Sequence, residues 1–463
     1  MKKLLTTLSI LSFVQISNSQ VQNTANDTAM IATIYNEVML HGECYENLRY
    51  LCKNIGHRLA GSESAQKAID WGKATLEKSA ADNVFLMPVE VPHWTRGGYE
   101  YGGYKLAEQQ KEVALTALGG SVGTEGKRIT AEVIEVKSFD ELKALGEEAV
   151  RGKIVFFNKP LDATLINTGA AYGGGYPIRG QGPSEAAKLG AVACLIRSLT
   201  LADDNYPHTG ATNYEKGVVR IPAAALSAVA SRQLSQDLRN NPRLQFSLEL
   251  SCEAFERTMQ ANVIAEIRGT EFPDEYITVG GHLDSWDIGE GAHDDGTGIV
   301  QSIEMIRALK AIGYKPKRTI RAVLFINEEF GNDGGETYAK ICKENGLVHV
   351  AAIESDGGGF TPVGFNCDIN DAQYDLTQSW LPLLEPYNLF RFRRGGSGVD
   401  IRPLKDDRIA LFGLHVDGQR YFDYHHTNND RFENVNKREL ELGAAAMTAL
   451  VYLLDQTGIP AQK

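Results

Sequence analysis

Five short clusters carry side chains that hold metals or move protons: His282-Leu-Asp284, Asp294-Asp295-Gly296, Asn327-Glu328-Glu329, Glu354-Ser-Asp356 and His425-His426-Thr427. Imidazole and carboxylate together suit zinc. Each cluster is weak alone, because Asp-Asp-Gly and Glu-Glu are ordinary turn sequences. Their placement makes them strong together. Each falls in a loop or at the carboxyl end of an expected strand, where open α/β sheets gather ligands. Two zinc ions about 3.5–4 Å apart need a bridging carboxylate and further ligands on each ion. One of the two aspartates after Ala292-His293 suits the bridge; His282 and Asp356 would complete one ion, and Glu329 and His426 the other. Glu328 neighbours a ligand without having to be one, which is the position of a general base. Asp284, two residues past His282, is placed to accept the second N–H of that imidazole and fix its tautomer. The expectation is a hydrolase with two Zn2+ per chain.

These residues need strands to end beside one another. Asn262–Ile267 and Tyr276–Val279 are short β-branched runs, Gly298–Ile312 has apolar residues at helical spacing, and Thr319–Ile326 is again a strand. Strand, helix and strand of this length make a right-handed parallel crossover. Val350–Ile353 and Ala410–Leu414 add strands, and the alanine-rich Lys437–Leu454 closes the chain as a helix over one sheet face. Upstream, Thr28–Lys53 and Ala65–Leu76 read as helices and Val84–Val91 as a strand, with Ser62 or Ser64 capping the second helical run. Between 111 and 254 lie the β-rich runs Ile129–Val136, Lys153–Phe157 and Ala191–Arg197, a helix Ser184–Leu189, and none of the metal-type clusters. The expected fold class is α/β: a mixed, largely parallel sheet with helices on both faces, carrying a β-rich inserted domain. The expected division is 1–19 a signal peptide, 20–110 and 255–463 two parts of one catalytic domain, and 111–254 the insert.

At 463 residues the chain exceeds one ordinary core, and 43% apolar with 23% charged residues is a globular composition. Lys2 and Lys3 precede an apolar run from Leu4 to Val14, with small residues Ser17 and Ser19 after it, so the chain is expected to be exported, to periplasm or cell exterior. Cleavage there removes two lysines and no acid, taking the formal charge from −12 to −14. An acidic exported chain is unsuited to nucleic acid or anionic lipid, and no run is long enough to span a membrane. Six cysteines permit disulfides, Cys44 and Cys52 being the nearest in sequence, but the spacing fixes no pairing, and buried free thiols suit a chain this large equally well.

The clusters, quoted more fully as Gly281-His-Leu-Asp-Ser-Trp-Asp287, Ala292-His-Asp-Asp-Gly296, Asn327-Glu-Glu329, Glu354-Ser-Asp356 and Tyr424-His-His-Thr-Asn-Asn-Asp430, resemble the motif set of co-catalytic zinc exopeptidases related to aminopeptidase Y. The likeness runs over nearly the whole mature chain, from Ile55-Gly-His-Arg-Leu-Ala-Gly-Ser62 through Tyr206-Pro-His-Thr-Gly210 to Gly396-Ser-Gly-Val-Asp-Ile401. It implies His282, Asp294, Glu329, Asp356 and His426 as ligands, Asp294 as the bridge and Glu328 as general acid/base. It also implies Asp294 over Asp295 and His426 over His425, which spacing leaves open. By the same resemblance the insert is a protease-associated-like domain and the enzyme a homodimer. The substrate is a dipeptide or short peptide, with a dipeptidase or carboxypeptidase expected and an aminopeptidase as alternative.

Other residues read more plainly. His57 and His208 are expected to be structural, and Gly173–Gly180 a structural loop, since it lacks both phosphate-binding endings. His293 stands where relatives carry an apolar residue; a supporting or exposed role is expected rather than a metal contact. Gly331–Glu336 is expected to be a solvated loop. Arg393, Arg394 and Gly395–Ile401 are candidates for carboxylate recognition. A non-catalytic binding domain would lack ligands or base, and a one-zinc cyclase would not need the full set, so the intact set favours the peptidase.

Overall fold

The computed structural model describes residues 25–459; the expected signal segment 1–19 lies outside the described residues. The metal-type clusters gather on an eight-stranded mixed sheet. Its spatial order is Asn83–Thr95, Glu253–Ile267, Arg318–Phe325, Phe272–His282, Val348–Glu354, Ala410–Val416, Pro362–Asp368 and Phe392–Arg394. Arg318–Phe325, Phe272–His282, Val348–Glu354 and Ala410–Val416 run parallel to one another, so their carboxyl ends share one rim. Alternation divides each central strand between two cores. Ile320, Ala322 and Leu324 face one side with the helices Thr297–Ala311 and Lys437–Thr457, while Val323 and Phe325 face Tyr338 and Cys342 of the helix Asp333–Glu344. Both faces are covered, as parallel strands require.

Thr297–Ala311 is buried almost all round rather than along one stripe. Lys437–Thr457, Cys44–Tyr50 and the helical stretch 25–41 pack over its outer side. Its buried Glu304 is neutralised by Arg307 at 2.6 Å and accepts the Glu43 N–H at 3.1 Å.

A second eight-stranded sheet follows the order Gln109–Glu112, Glu100–Leu106, Gln245–Leu250, Ile129–Val136, Ile154–Phe157, Ala193–Arg197, Ala223–Leu226 and Leu115–Ala117. Glu100–Leu106 is a strand of this sheet, ahead of the expected boundary at 111. The chain leaves and re-enters the first sheet through one antiparallel pair, in which Thr95 opposes Glu253. The strands of the second sheet alternate with the helices Phe139–Val150, Thr168–Lys188 and Ala228–Asn240, so it is less purely β-rich than expected.

Gly173–Gly180 is helical, not a loop. Gly and Pro are turn signals in sequence, but here they fit close packing. A Cβ at Gly175 would lie 2.7 Å from Leu161 and 2.8 Å from Leu199, and one at Gly182 would lie 3.1 Å from Phe157. Asn167 caps the helix by accepting the Ala170 N–H. Gly331–Glu336 likewise leads into the helix Asp333–Glu344, where Asp333 pairs with Arg257 at 2.7 Å and accepts from Asn327 at 2.8 Å.

The two sheets interlock. Trp286 inserts into the core of the second sheet, where a Cβ on Gly119 would lie 1.8 Å from its ring. Arg96 pairs with Asp287 at 2.5 Å and donates to the carbonyl of Ala117. All six cysteines are free and buried. No helix among the described residues is long and apolar enough to cross a membrane.

Candidate metal centre

The rim of parallel strand ends supplies most of the site. His282 ends one central strand; Glu328 and Glu329 follow Arg318–Phe325, and Asp356 follows Val348–Glu354. Asp294 and Asp295 lie in the short turn Ala292–Gly296 before Thr297–Ala311, and His426 follows the helix Tyr421–Tyr424. Asn327 and His426 have φ of 68° and 62°. Non-glycine residues rarely adopt that region, and it persists where surrounding structure over-determines it.

The side chains converge. His282 Nε2 lies 3.2 Å from Asp294 Oδ1 and 3.5 Å from Asp356 Oδ1. His426 Nε2 lies 3.2 Å from Asp294 Oδ2 and 3.1 Å from Glu329 Oε2. Asp294 thus turns one oxygen to each histidine. Asp295 is near enough to join a donor group with His282 and Asp356, but its oxygens already accept the main-chain N–H groups of His282 and Gly298, each at 3.0 Å. His425 stacks on His426 at 3.5 Å and brings Nε2 to 3.6 Å from Asp294 Oδ2.

These donors fit a metal. His282 Nε2, Asp294 Oδ2, Glu329 Oε1 and Asp356 Oδ1 are buried without a hydrogen-bond partner, which is costly unless something else satisfies them. Both histidines have their other nitrogen engaged. His282 Nδ1 lies 3.0 Å from the Asp284 carbonyl, and His426 Nδ1 3.2 Å from the Thr209 carbonyl. Donating Nδ1–H to a carbonyl leaves the Nε2 lone pair facing the carboxylates. The electrostatics call for positive charge at the same place. Burial alone would lower the His426 imidazole, but Glu329 and Asp294 push it up to about 9. Burial also lowers His282, yet Asp294 and Asp356 hold it well above its usual value. Burial, reinforced by Asp356 and Glu329, pushes the Glu328 carboxyl well above the usual range.

Asp284 departs from its expected contact. Its carboxylate is 3.8 Å from His282 Nδ1 and accepts instead the main-chain N–H groups of Glu328 at 3.1 Å and Glu329 at 3.3 Å. The local turn brings its own carbonyl, not its side chain, to the imidazole. His293 is buried rather than exposed. Its Nε2 faces the Asn434 carbonyl at 3.2 Å, its Nδ1 accepts the Gly359 N–H, and its ring stacks on Phe360, so no nitrogen is left for a metal. His57 is exposed, and His208 is buried, with neither ring nitrogen hydrogen-bonded.

Four supports carried no role in the sequence. Thr209, in the segment of the second sheet, accepts from His426 and also donates its N–H to the His426 carbonyl at 3.0 Å. Arg179 is buried beside them, its Nη1 3.5 Å from both the Thr209 carbonyl and His426 Nδ1. Asp430 accepts the N–H groups of His293 at 2.7 Å and Asp294 at 3.1 Å. Arg58, fully buried, donates to the carbonyls of Leu283, Glu290 and Gly291. Arg58, Thr209 and Asp430 lay inside quoted motifs, while the contacts of Arg179 and Thr209 with His426 join residues more than 200 apart.

A cavity of about 1090 Å3 opens beside the cluster, from Glu354 and Asp356 past Tyr421 to Arg391–Gly398, with Ile166–Gly169 of the second sheet's segment along one wall.

Comparison with known proteins agrees with this geometry. The model of the family described as Peptidase family M28 matches residues 262–451. Carboxypeptidase Q from Bos taurus is 34% identical over 422 residues, 91% of this chain and 87% of that protein. Carboxypeptidase Q from Homo sapiens is 35% identical over 410 residues, 89% of this chain and 84% of that protein. The crystal structure of a peptidase M28 precursor from Shewanella amazonensis superposes with a TM-score of 0.90 at 31% identity, covering 95% of this chain and 99% of that one. A zinc aminopeptidase from Bacillus subtilis, at 21% identity and a TM-score of 0.65 over 89% of this chain and 94% of that one, shares the fold.

Proposed function

This chain belongs to peptidase family M28 and is a zinc metallopeptidase, and on that premise we propose that it is an exported two-zinc exopeptidase of dipeptides or short peptides, with the specificity of a carboxypeptidase Q. The convergence of His282, Asp294, Glu329, Asp356 and His426 on one pit, with four buried donor atoms unpartnered, carries this reading. His282 and Asp356 would hold one ion, Glu329 and His426 the other, and Asp294 both. The chemistry zinc would supply there is polarisation of a peptide carbonyl and a bound water made nucleophilic near neutral pH, its pKa lowered from 15.7 towards about 7.

Glu328 takes the proton from the attacking water and delivers it to the leaving amine. Burial and the carboxylates around it raise its pKa, which strengthens it as a base. Asp284 serves by positioning: it grips the Glu328 and Glu329 main chain and so aims base and ligand together. The segment carrying the second sheet is the protease-associated-like insert, and its Thr209 fixes the His426 ring. The enzyme works as a homodimer, as the carboxypeptidase Q likeness implies.

The test is hydrolysis of one dipeptide by the zinc-loaded protein in three forms: unblocked, N-acetylated and C-terminally amidated. Cleavage of the unblocked form alone supports an enzyme that reads both ends. Cleavage of the amide but not the acetylated form makes it an aminopeptidase. No cleavage of any form, with zinc confirmed bound, overturns the proposal.

A further inference from the structure

The far wall of the cavity is a cationic face built by strand alternation. Pro362–Asp368 pairs Phe365 with Leu414 on one side and with Phe392 on the other, and all three are buried in the core. Because side chains alternate with period two, the neighbours His415, Asn366, Arg391 and Arg393 stand on the opposite face, and all four line the cavity that holds Asp356.

Asp368 shares this face by parity, but among the described residues it makes no pair with Arg391 or Arg393. Arg394, on the other parity, is taken by Asp371 at 2.6 Å. Arg391 lies over the Phe390 ring, and among the described residues neither it nor Arg393 has a carboxylate partner. Asp356 aside, the acids that line the cavity have hydrogen-bond partners other than these arginines. Glu354 accepts the Val399 and Ile401 N–H groups, Asp368 accepts from Ser397 at 2.7 Å, and Asp417 accepts the Gln419 N–H. His415 is half-buried, and its Nδ1 is sealed from solvent without a hydrogen-bond partner. Burial and the two neighbouring guanidinium groups lower this imidazole to about 4, so it remains neutral and the surplus charge stays on the arginines.

Resting on the function proposed above, we infer that Arg393 and Arg391, with His415 beside them, form the subsite for a carboxylate on the leaving-group side of the peptide. Arginine suits a carboxylate because its planar fork offers two parallel donors. The carboxylate comes either from the C-terminus or from an acidic C-terminal side chain; the site takes negative charge from either. Arg393 is a specificity-determining residue, and its loss weakens binding without touching the proton transfer.

The experiment compares alanyl-alanine, its C-terminal amide and alanyl-glutamate amide on zinc-loaded wild type, Arg393→Gln and Arg393→Lys. The same three ligands are titrated calorimetrically into Glu328→Gln and Glu328→Gln/Arg393→Gln, where binding is read without turnover. Arg393→Gln is expected to raise KM and Kd for alanyl-alanine about ten- to a hundredfold, the loss of a charge-assisted pair. Under this inference kcat and the alanyl-alanine amide hardly move, and Arg393→Lys recovers part of the loss. A loss confined to alanyl-glutamate amide identifies the side-chain carboxylate as the bound group. If Arg393→Gln unfolds, Arg391→Gln gives the same reading. Unchanged acid-to-amide ratios in an active enzyme overturn the subsite and leave the peptidase standing. Carboxylate-dependent binding with no hydrolysis by wild type overturns the peptidase and leaves the subsite.

Discussion

The carboxylate of Asp284 is fully buried and held by two main-chain N–H groups, those of the proposed base Glu328 and the proposed ligand Glu329. An asparagine there keeps one acceptor oxygen and puts an NH2 against an N–H donor. Asp284→Asn is therefore expected to lower zinc affinity about 10–100-fold, the usual cost of disturbing a ligand's support, read by competition with a chelator. Unchanged affinity and kcat would remove Asp284 from the site. His426→Ala takes away a nitrogen that faces both Asp294 and Glu329. Elemental analysis is expected to find one zinc per chain in place of two, with Glu329 and Asp294 left under-coordinated. Retention of both ions would transfer the ligand role to His425, 3.6 Å from Asp294.

Among the elements, the loop from His282 to Asp287 joins the two sheets. One end carries the proposed ligand His282, and the other sets Trp286 against Gly119. Gly119→Ala forces that ring aside and is expected to cost about 1–3 kcal/mol, as overpacked cores do, and to loosen zinc as well, because His282 moves with the loop. A melt that shifts while zinc affinity holds would show the loop to be two independent halves. This scale separates what was legible in the sequence from what was not. The strands ending at His282, Glu354 and near Glu328 were readable, because a β-branched run followed by acids or histidine has few other meanings in an α/β pattern. The helix Thr168–Lys188 was not, because its glycines report a close approach to Leu161 and Phe157 that only the tertiary structure reveals. The five proposed ligands all stand in short local motifs. The grip of Thr209 on His426 spans 217 residues and leaves no local trace.

For the molecule as a whole, acid should destabilise the fold through histidines buried neutral. His349 sits at the far end of the strand Val348–Glu354, its Nε2 2.8 Å from the Tyr338 hydroxyl, and burial next to Arg321 lowers it to about 3. Its pKa in the unfolded chain is about 6.5, so below that pH the unfolded state binds a proton the native state refuses. The contribution is whole above about pH 6.5 and is lost at ~1.4 kcal/mol per pH unit as pH falls towards 3. His349→Gln, which cannot take up that proton, is expected to flatten the acid limb of stability measured by urea titration. An unchanged slope would place the acid sensitivity elsewhere.

The central claim is that one carboxylate, Glu328, moves the proton while the five donors around it hold metal. Zinc content and dipeptide turnover measured together on wild type and Glu328→Gln test it most directly. Two zinc ions per chain in both proteins, with kcat reduced about 10²–10⁴-fold in the variant, is the predicted result. Turnover by Glu328→Gln at the wild-type rate, with its zinc in place, would contradict it.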